Sequence, residues 1–291
     1  MKTQVFRRLS GRFVCWILLG LSCWVFWPVS VAAAETGSKT PKVYRFGVVP
    51  QFGQRRIFQT WIPILRRLEQ KTGLRFELVG SEQIPVFETR FIAGKFDFAY
   101  MNPYHVVVAN NKQGYIPLVR DGARVLQGVI VVRNDSPIKS VQELSGKTVA
   151  FPSANALGAS LLPRSELSQR YGIKLVPRYV KTHSSVYLHV VQKLVVAGGG
   201  VRSTLRHQKP RIRKKIRILY RTAGVSPHPI VAHPRVPARH IQAVRQALLA
   251  MGKNSADRAL LAKIPIQQVT ESSVADYEAV RRLGLDEFRG R

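Results

Sequence analysis

GKFDFAYMNPYH, residues 94–105, is the stretch on which the fold turns. Residues 96–100 (FDFAY) have the aromatic, β-favouring character of a strand, and Asn102-Pro103 then fits a helix start. Asn is a good cap and Pro is tolerated at the first helical position. Working backwards, residues 43–49 (VYRFGVV) read as a strand that runs into the loop Pro50-Gln51-Phe52-Gly53. Phe58, Ile62, Leu65 and Leu68 recur at helical spacing over residues 58–71, and Gly73 is a natural stop. Residues 74–79 predict a second strand and 85–93 a short helix. The order is βαβαβ, an α/β lobe built on a parallel sheet.

Working forwards, a second unit begins. Strands are expected at 125–133, 148–151, 175–180 and 216–220, and helices at 141–144, 157–171 and 185–193. Residues 195–197 read as a strand entering Gly198-Gly199-Gly200, which suits a flexible turn. Further helices are expected at 238–251, 256–263 and 274–283. Two α/β units joined by two crossings, near 121–125 and 222–228, predict a clamshell. Residues 35–124 plus 227–291 would form lobe 1 and residues 125–226 lobe 2. In such sheets a ligand sits at the carboxyl ends of strands, in the cleft.

Residues 1–34 stand apart. Lys2, Arg7, Arg8 and Arg12 precede an apolar run ending at Pro28, and Ala32-Ala33-Ala34 offers a small-residue cleavage site. This is the layout of a cleavable signal peptide. The run is about 15 residues, short of the roughly 20 that a membrane span needs. The chain's two cysteines, Cys15 and Cys23, both fall inside it. A processed chain would have no thiol, which removes disulfides, cysteine nucleophiles and cysteine-based zinc sites.

A chain of 291 residues, 45% hydrophobic and 21% charged, has the make-up of a folded globular protein. Its charge is lopsided: 46 basic against 16 acidic residues. Loss of the four basic residues of the signal leaves 42 against 16, a net +26. No acid occurs between Glu166 and Asp257. Such a field attracts anions. No nucleic-acid motif accompanies it, so no nucleic-acid partner is expected. Nor is there H-E-x-x-H, G-x-S-x-G or a short-spaced carboxylate pair, so the chain is not read as an enzyme. His228 and His233 fit a Pro-rich structural loop rather than a metal site, and no cofactor is expected.

Four loops follow strands and precede helices: 50–53, 100–105, 152–160 and 182–187. Helix starts leave unpaired N–H groups and a partial positive charge, so each loop can face an anion, though each also fits a plain connection. Taken in order they resemble the PhnD-like family of phosphate, phosphite and phosphonate ABC-transporter binding proteins. The resemblance runs through FGVVPQ (46–51), GKFDFAYMNPYH (94–105), VVRNDSPIKSVQELSGKTVAFPS (131–153), ASLLPRSEL (159–167), THSSVYLHVV (182–191), AGGGV (197–201) and PIVAHPRVP (229–237).

The resemblance implies a type II periplasmic-binding-protein fold with a small phosphorus oxyanion held between two α/β lobes. By position it implicates Tyr100, Asn102 and Tyr104 from the first lobe. From the second it implicates Asn155, Ala156 and Ser160, with His183 and Ser185. It further implies a periplasmic location, an inner-membrane ABC permease as partner and a monomer. A sensing protein that partners a membrane kinase is the alternative.

The sequence also departs from the family pattern. Asn155-Ala156-Leu157 stands where many relatives have Ser-Thr-Ser, and Ser184 and Val196 replace acids. Without those acids, phosphate, phosphite or an alkyl phosphonate is expected over 2-aminoethylphosphonate.

Overall fold

A computed structural model describes residues 42–290; the expected signal peptide, residues 1–34, lies outside them. Eleven strands form two mixed sheets among the described residues. The first contains β1 (Val43–Val48), β2 (Arg75–Val79), β3 (Phe98–Tyr100), β4 (Ile116–Asp121), β10 (Ile230–Ala232) and β11 (Val269–Glu271). The second contains β5 (Leu126–Arg133), β6 (Thr148–Phe151), β7 (Val176–Tyr179), β8 (Ala197–Val201) and β9 (Ile216–Val225). The chain passes from β4 in one sheet to β5 in the other, and returns between β9 and β10.

The first sheet runs β11-β4-β10-β3-β1-β2. Strands β2, β1 and β3 are parallel, as the βαβαβ reading requires, with α1 (Gln54–Thr72) and α2 (Ile84–Ile92) as crossovers. α1 begins four residues earlier than its apolar spacing suggested, and Gly73 closes it at φ 70°, a left-handed turn that suits glycine. Its buried face is Ile57, Trp61, Ile64, Leu65 and Leu68. These side chains join an aromatic core with Tyr44, Phe46, Phe87, Phe96 and Phe98. α3 (Pro103–Gln113) follows β3. Strands β4, β10 and β11 had no expectation in the sequence; they pair antiparallel and extend the sheet.

The second sheet runs β7-β6-β8-β5-β9, parallel through β8 and antiparallel beyond it. Gly198-Gly199-Gly200 is strand β8 itself, not a turn. The reason is close packing. A Cβ at Gly199 would lie 2.1 Å from the Ala159 carbonyl oxygen and 2.4 Å from the Phe151 ring, and one at Gly128 would lie 2.1 Å from the Gly158 oxygen. These bare strands let the backbone of Leu157–Leu161 lie directly on the sheet. That segment, expected as the start of one helix, is a π-helical turn before α4 (Leu162–Tyr171). Its Leu157, Ala159 and Leu161 pack into the aromatic core of the first sheet.

Five further helices surround the sheets. α5 (His183–Val191) and α6 (Arg202–Arg206) follow β7 and β8, and the single turn α7 (Pro210–Arg213) precedes β9. α8 (Ala238–Lys253) and α9 (Ser255–Leu261) pack on α1, where Asp257 accepts from Arg67 at 2.7 Å and lies 3.3 Å from Lys71. No helix among the described residues is long and apolar enough to cross a membrane.

Candidate functional site

The strand-to-helix loops of both sheets meet around a small cavity. Gln51 enters from the β1–α1 loop and Asn102 from the β3–α3 loop. Ala156, Leu157, Gly158 and Ala159 supply the opposite wall, His183 begins α5, and His228 comes from the β9–β10 crossing.

Local chemistry places each group. Asn102 is extended (φ −74°, ψ 160°) and its Oδ1 accepts from the His105 N–H at 2.9 Å, capping α3. Its Nδ2 donates to the Asn155 carbonyl oxygen at 3.3 Å, on the loop before the Leu157–Leu161 turn. Thr182 caps α5 by accepting from the Ser185 N–H at 3.1 Å. The preceding Lys181 sits at φ 73°, a left-handed conformation uncommon outside glycine, and turns the chain so that His183 points inward. The His183 N–H donates to the Gln51 carbonyl at 3.3 Å, joining α5 to the β1–α1 loop. In the Leu157–Leu161 turn the N–H groups of Ala159, Ser160 and Leu161 all donate to the Ala156 carbonyl, at 3.1, 2.7 and 3.3 Å.

No Lys, Arg, Asp or Glu lines this cavity. Its polar character comes from amides and two imidazoles. Burial pushes both His183 and His228 down to about 3, so both are neutral at neutral pH. The neighbouring His105 and His183 lower His228 further. A neutral imidazole keeps one N–H donor. His183 Nδ1 lies 3.2 Å from Thr204 Oγ1, and His228 Nε2 lies 3.3 Å from Gln51 Nε2.

A second chamber shares Val49 and Gln51 with the first. It is lined by hydroxyls of Thr60, Tyr100, Ser203 and Thr204 and by Arg56. Tyr100 stacks on His228, with ring centroids 5.4 Å apart. Its Oη is buried without a hydrogen-bond partner. Burial, then the charges of Asp121 and Tyr277, raise its pKa, so it stays a protonated donor. Arg56 lies 3.9 Å over the Phe52 ring and donates to the His207 carbonyl at 3.2 Å, again reaching from α1 to α6.

The structure therefore brings Asn102, Ala156 and His183 to one cavity and Tyr100 to the chamber beside it. Asn155 borders them, but its side chain is engaged elsewhere: Nδ2 donates to Glu88 at 3.1 Å and Oδ1 accepts from the Gly290 N–H at 2.9 Å. Ser160 is fully buried behind the wall and its Oγ has no partner. Ser185 Oγ lies 2.9 Å from Thr182 Oγ1, within the cap. Tyr104 is half-buried on α3 and lines neither space. Sequence reasoning had assigned His228 to a structural loop. It lines the cavity, and only its place on the crossing between the two sheets hinted at that. Val196 is exposed, lies on a groove with Arg133 and Lys193, and does not line the cavity.

Two mixed sheets, two crossings and a cleft lined by helix starts define a type II periplasmic-binding-protein fold. The structure of PhnD1 from Prochlorococcus marinus in complex with methylphosphonate superposes with a TM-score of 0.77 at 14% identity, covering 85% of this chain and 98% of that one. A binding-protein component of an ABC phosphonate transporter from Pseudomonas aeruginosa gives 0.74 at 15% identity, covering 84% and 85%. The family model described as "ABC transporter, phosphonate, periplasmic substrate-binding protein" matches residues 46–277, and the chain belongs to that family. The phosphate-import protein PhnD of Mycolicibacterium smegmatis is 24% identical over 212 residues, 70% of this chain and 63% of that protein's length. The phosphonates-binding periplasmic protein of Escherichia coli is 22% identical over 258 residues, 84% and 76% of the two chains.

Proposed function

We propose that this chain is the periplasmic solute-binding component of an ABC importer and that it captures a single small phosphorus oxyanion: phosphate, phosphite or an alkyl phosphonate. The observation that carries the reading is the composition of the cavity. Neutral donors from both lobes face a small space without a permanent charge, which suits an oxyanion ringed by hydrogen bonds rather than neutralised by a counter-ion. Asn102, Ala156 and His183 would contact the ligand, with Tyr100 donating from the adjoining chamber. Asn155, Ser160, Ser185 and Tyr104 would shape the loops that hold these groups. Residues 35–124 with 227–291, and 125–226, would be the two lobes that close.

Closure follows from the contacts. The Asn102–Asn155, His183–Gln51 and Arg56–His207 bonds join the lobes directly. A ligand bound to both sides adds contacts available only in the closed form, so it shifts the open–closed equilibrium. A permease reading the closed surface would then accept the load. Calorimetric titration of the exported protein with phosphate, phosphite, methylphosphonate and sulfate tests this. One-to-one binding of a phosphorus anion, lost in His183→Ala, is expected. A folded protein giving no heat with any of them would rule out capture of these anions.

A further inference from the structure

The strongest unassigned feature is a groove beside the crossings, enclosing about 1740 Å3 with its open side. Three arginines converge on it. Arg124 comes from the β4–β5 crossing, and Arg202 and Arg206 lie one turn apart on α6. None of them makes an ion pair among the described residues. Instead they act on one another: Arg206 is held below its ordinary value by burial and then by the charges of Arg124 and Arg202. Like charges one helical turn apart repel.

No acid pairs with any of these three arginines among the described residues. The acid lining the groove is Asp121, which is fully buried and whose Oδ1 accepts from the N–H groups of Ala123, Gln267 and Gln268. A fourth cation, Arg120, is already paired with Asp276 at 3.0 Å. Residues 167–256 contain no acid at all. Three unneutralised guanidinium groups spread along a groove match a ligand with several linked negative centres. Guanidinium forks bind phosphoryl oxygens bidentately. A lone phosphonate presents one centre, and the space is far larger than such an ion needs.

We propose that this groove is a second anion site, distinct from the Asn102–His183 cavity, and that its ligand is a linked polyphosphate, inorganic or carried on a nucleoside. The groove shares only His228 with that cavity, so the assignment does not rest on what the cavity binds.

The test is titration of the chain, expressed and exported as encoded, with tripolyphosphate at about 0.15 M salt, where long-range attraction is screened. One-to-one binding that saturating methylphosphonate leaves unchanged is expected. Arg202→Gln with Arg206→Gln should weaken it by roughly tenfold or more, and Arg124→Gln alone by severalfold. Lys214→Gln with Lys215→Gln removes the same charge from exposed positions and should change it little. All these side chains are exposed or half-buried, so equal melting temperatures are expected and checked first. ATP binding as tightly as tripolyphosphate would mean that the phosphates alone are read; tighter ATP binding would add a contact to the nucleoside.

Equal losses in the arginine and lysine pairs, displacement by methylphosphonate, or no saturable binding would overturn the proposal. Tripolyphosphate binding through these arginines in a chain that takes no single phosphorus anion would sink the cleft reading and leave this one standing.

Discussion

Asn102 Nδ2 donates to the main-chain oxygen of Asn155 at 3.3 Å, while Asn102 Oδ1 caps α3 through the His105 N–H at 2.9 Å. One side chain thus starts α3, which follows the first sheet, and bonds the loop that leads to the turn lying on the second. The two roles separate by substitution. Asn102→Ala removes both and should lower stability by about 1 kcal/mol, the usual value of a cap. Asn102→Asp keeps the capping acceptor but replaces the donor with a negative charge. Its melting temperature should stay near that of the native chain, while methylphosphonate affinity falls by roughly a hundredfold or more through like-charge repulsion. Native-like binding by Asn102→Asp would place the ligand elsewhere.

The buried imidazoles predict acid sensitivity. His183 and His228 are pushed down to about 3 from 6.5, chiefly by burial. Between those values the unfolded chain takes up protons that the folded chain does not. Stability is therefore full above about pH 6.5 and falls as pH drops towards 3. The carboxylates held low, Asp257 and Asp276, add loss only nearer their own range, below about pH 4. Urea midpoints measured from pH 7 to about pH 4.5 should decline, and the decline should flatten in His228→Gln. A flat native profile would contradict the neutral, buried state of both rings.

The parallel part of each sheet was legible in the sequence because its period and punctuation are local. The expected stripe of Phe58, Ile62, Leu65 and Leu68 found the helix and Gly73 its stop, although the buried face is Ile57, Trp61, Ile64, Leu65 and Leu68. What escaped were elements fixed by distant partners. β10 and β11 have three residues each, too short for an apolar pattern, and exist through pairing with β3 and β4. His228 acquires its role from Gln51 and Tyr100, more than a hundred residues away in sequence. Of the loops expected to meet at a cleft, those bearing Gln51, Asn102, Ala156 and His183 do so. Which of their side chains face it was not legible, because Asn155, Ser160 and Ser185 are turned into other bonds or the core.

Gly199 makes the misreading of the glycine run testable. A turn would accept alanine; strand β8 should not, since the new Cβ would meet the Ala159 carbonyl and the Phe151 ring. Gly199→Ala should destabilise by about 1–3 kcal/mol, the range for overpacking a core. Because the displaced carbonyl belongs to the cavity wall, anion affinity should fall as well. Gly146→Ala is the contrasting control, as nothing crowds a Cβ there and its φ of 69° costs only local strain. It should lose stability with unchanged binding. A Gly199→Ala protein as stable as the native chain would mean that the turn does not rest on β8 as described.

Ligand choice rests on Glu88, a carboxylate near the cavity that sequence patterns did not flag. It accepts from His105 Nε2 at 2.9 Å and from Asn155 Nδ2 at 3.1 Å, and it does not line the space itself. An ammonium group entering the cavity would leave water without a free carboxylate to meet it, and an unpaired cation in a closed site is costly. Methylphosphonate should therefore bind more tightly than 2-aminoethylphosphonate, by roughly tenfold or more. Competition titrations on the native chain and on Glu88→Gln decide the matter. A preference for the amino compound that disappears in Glu88→Gln would show that Glu88 leaves His105 and Asn155 to hold the ligand's ammonium, and would reverse the expected selectivity.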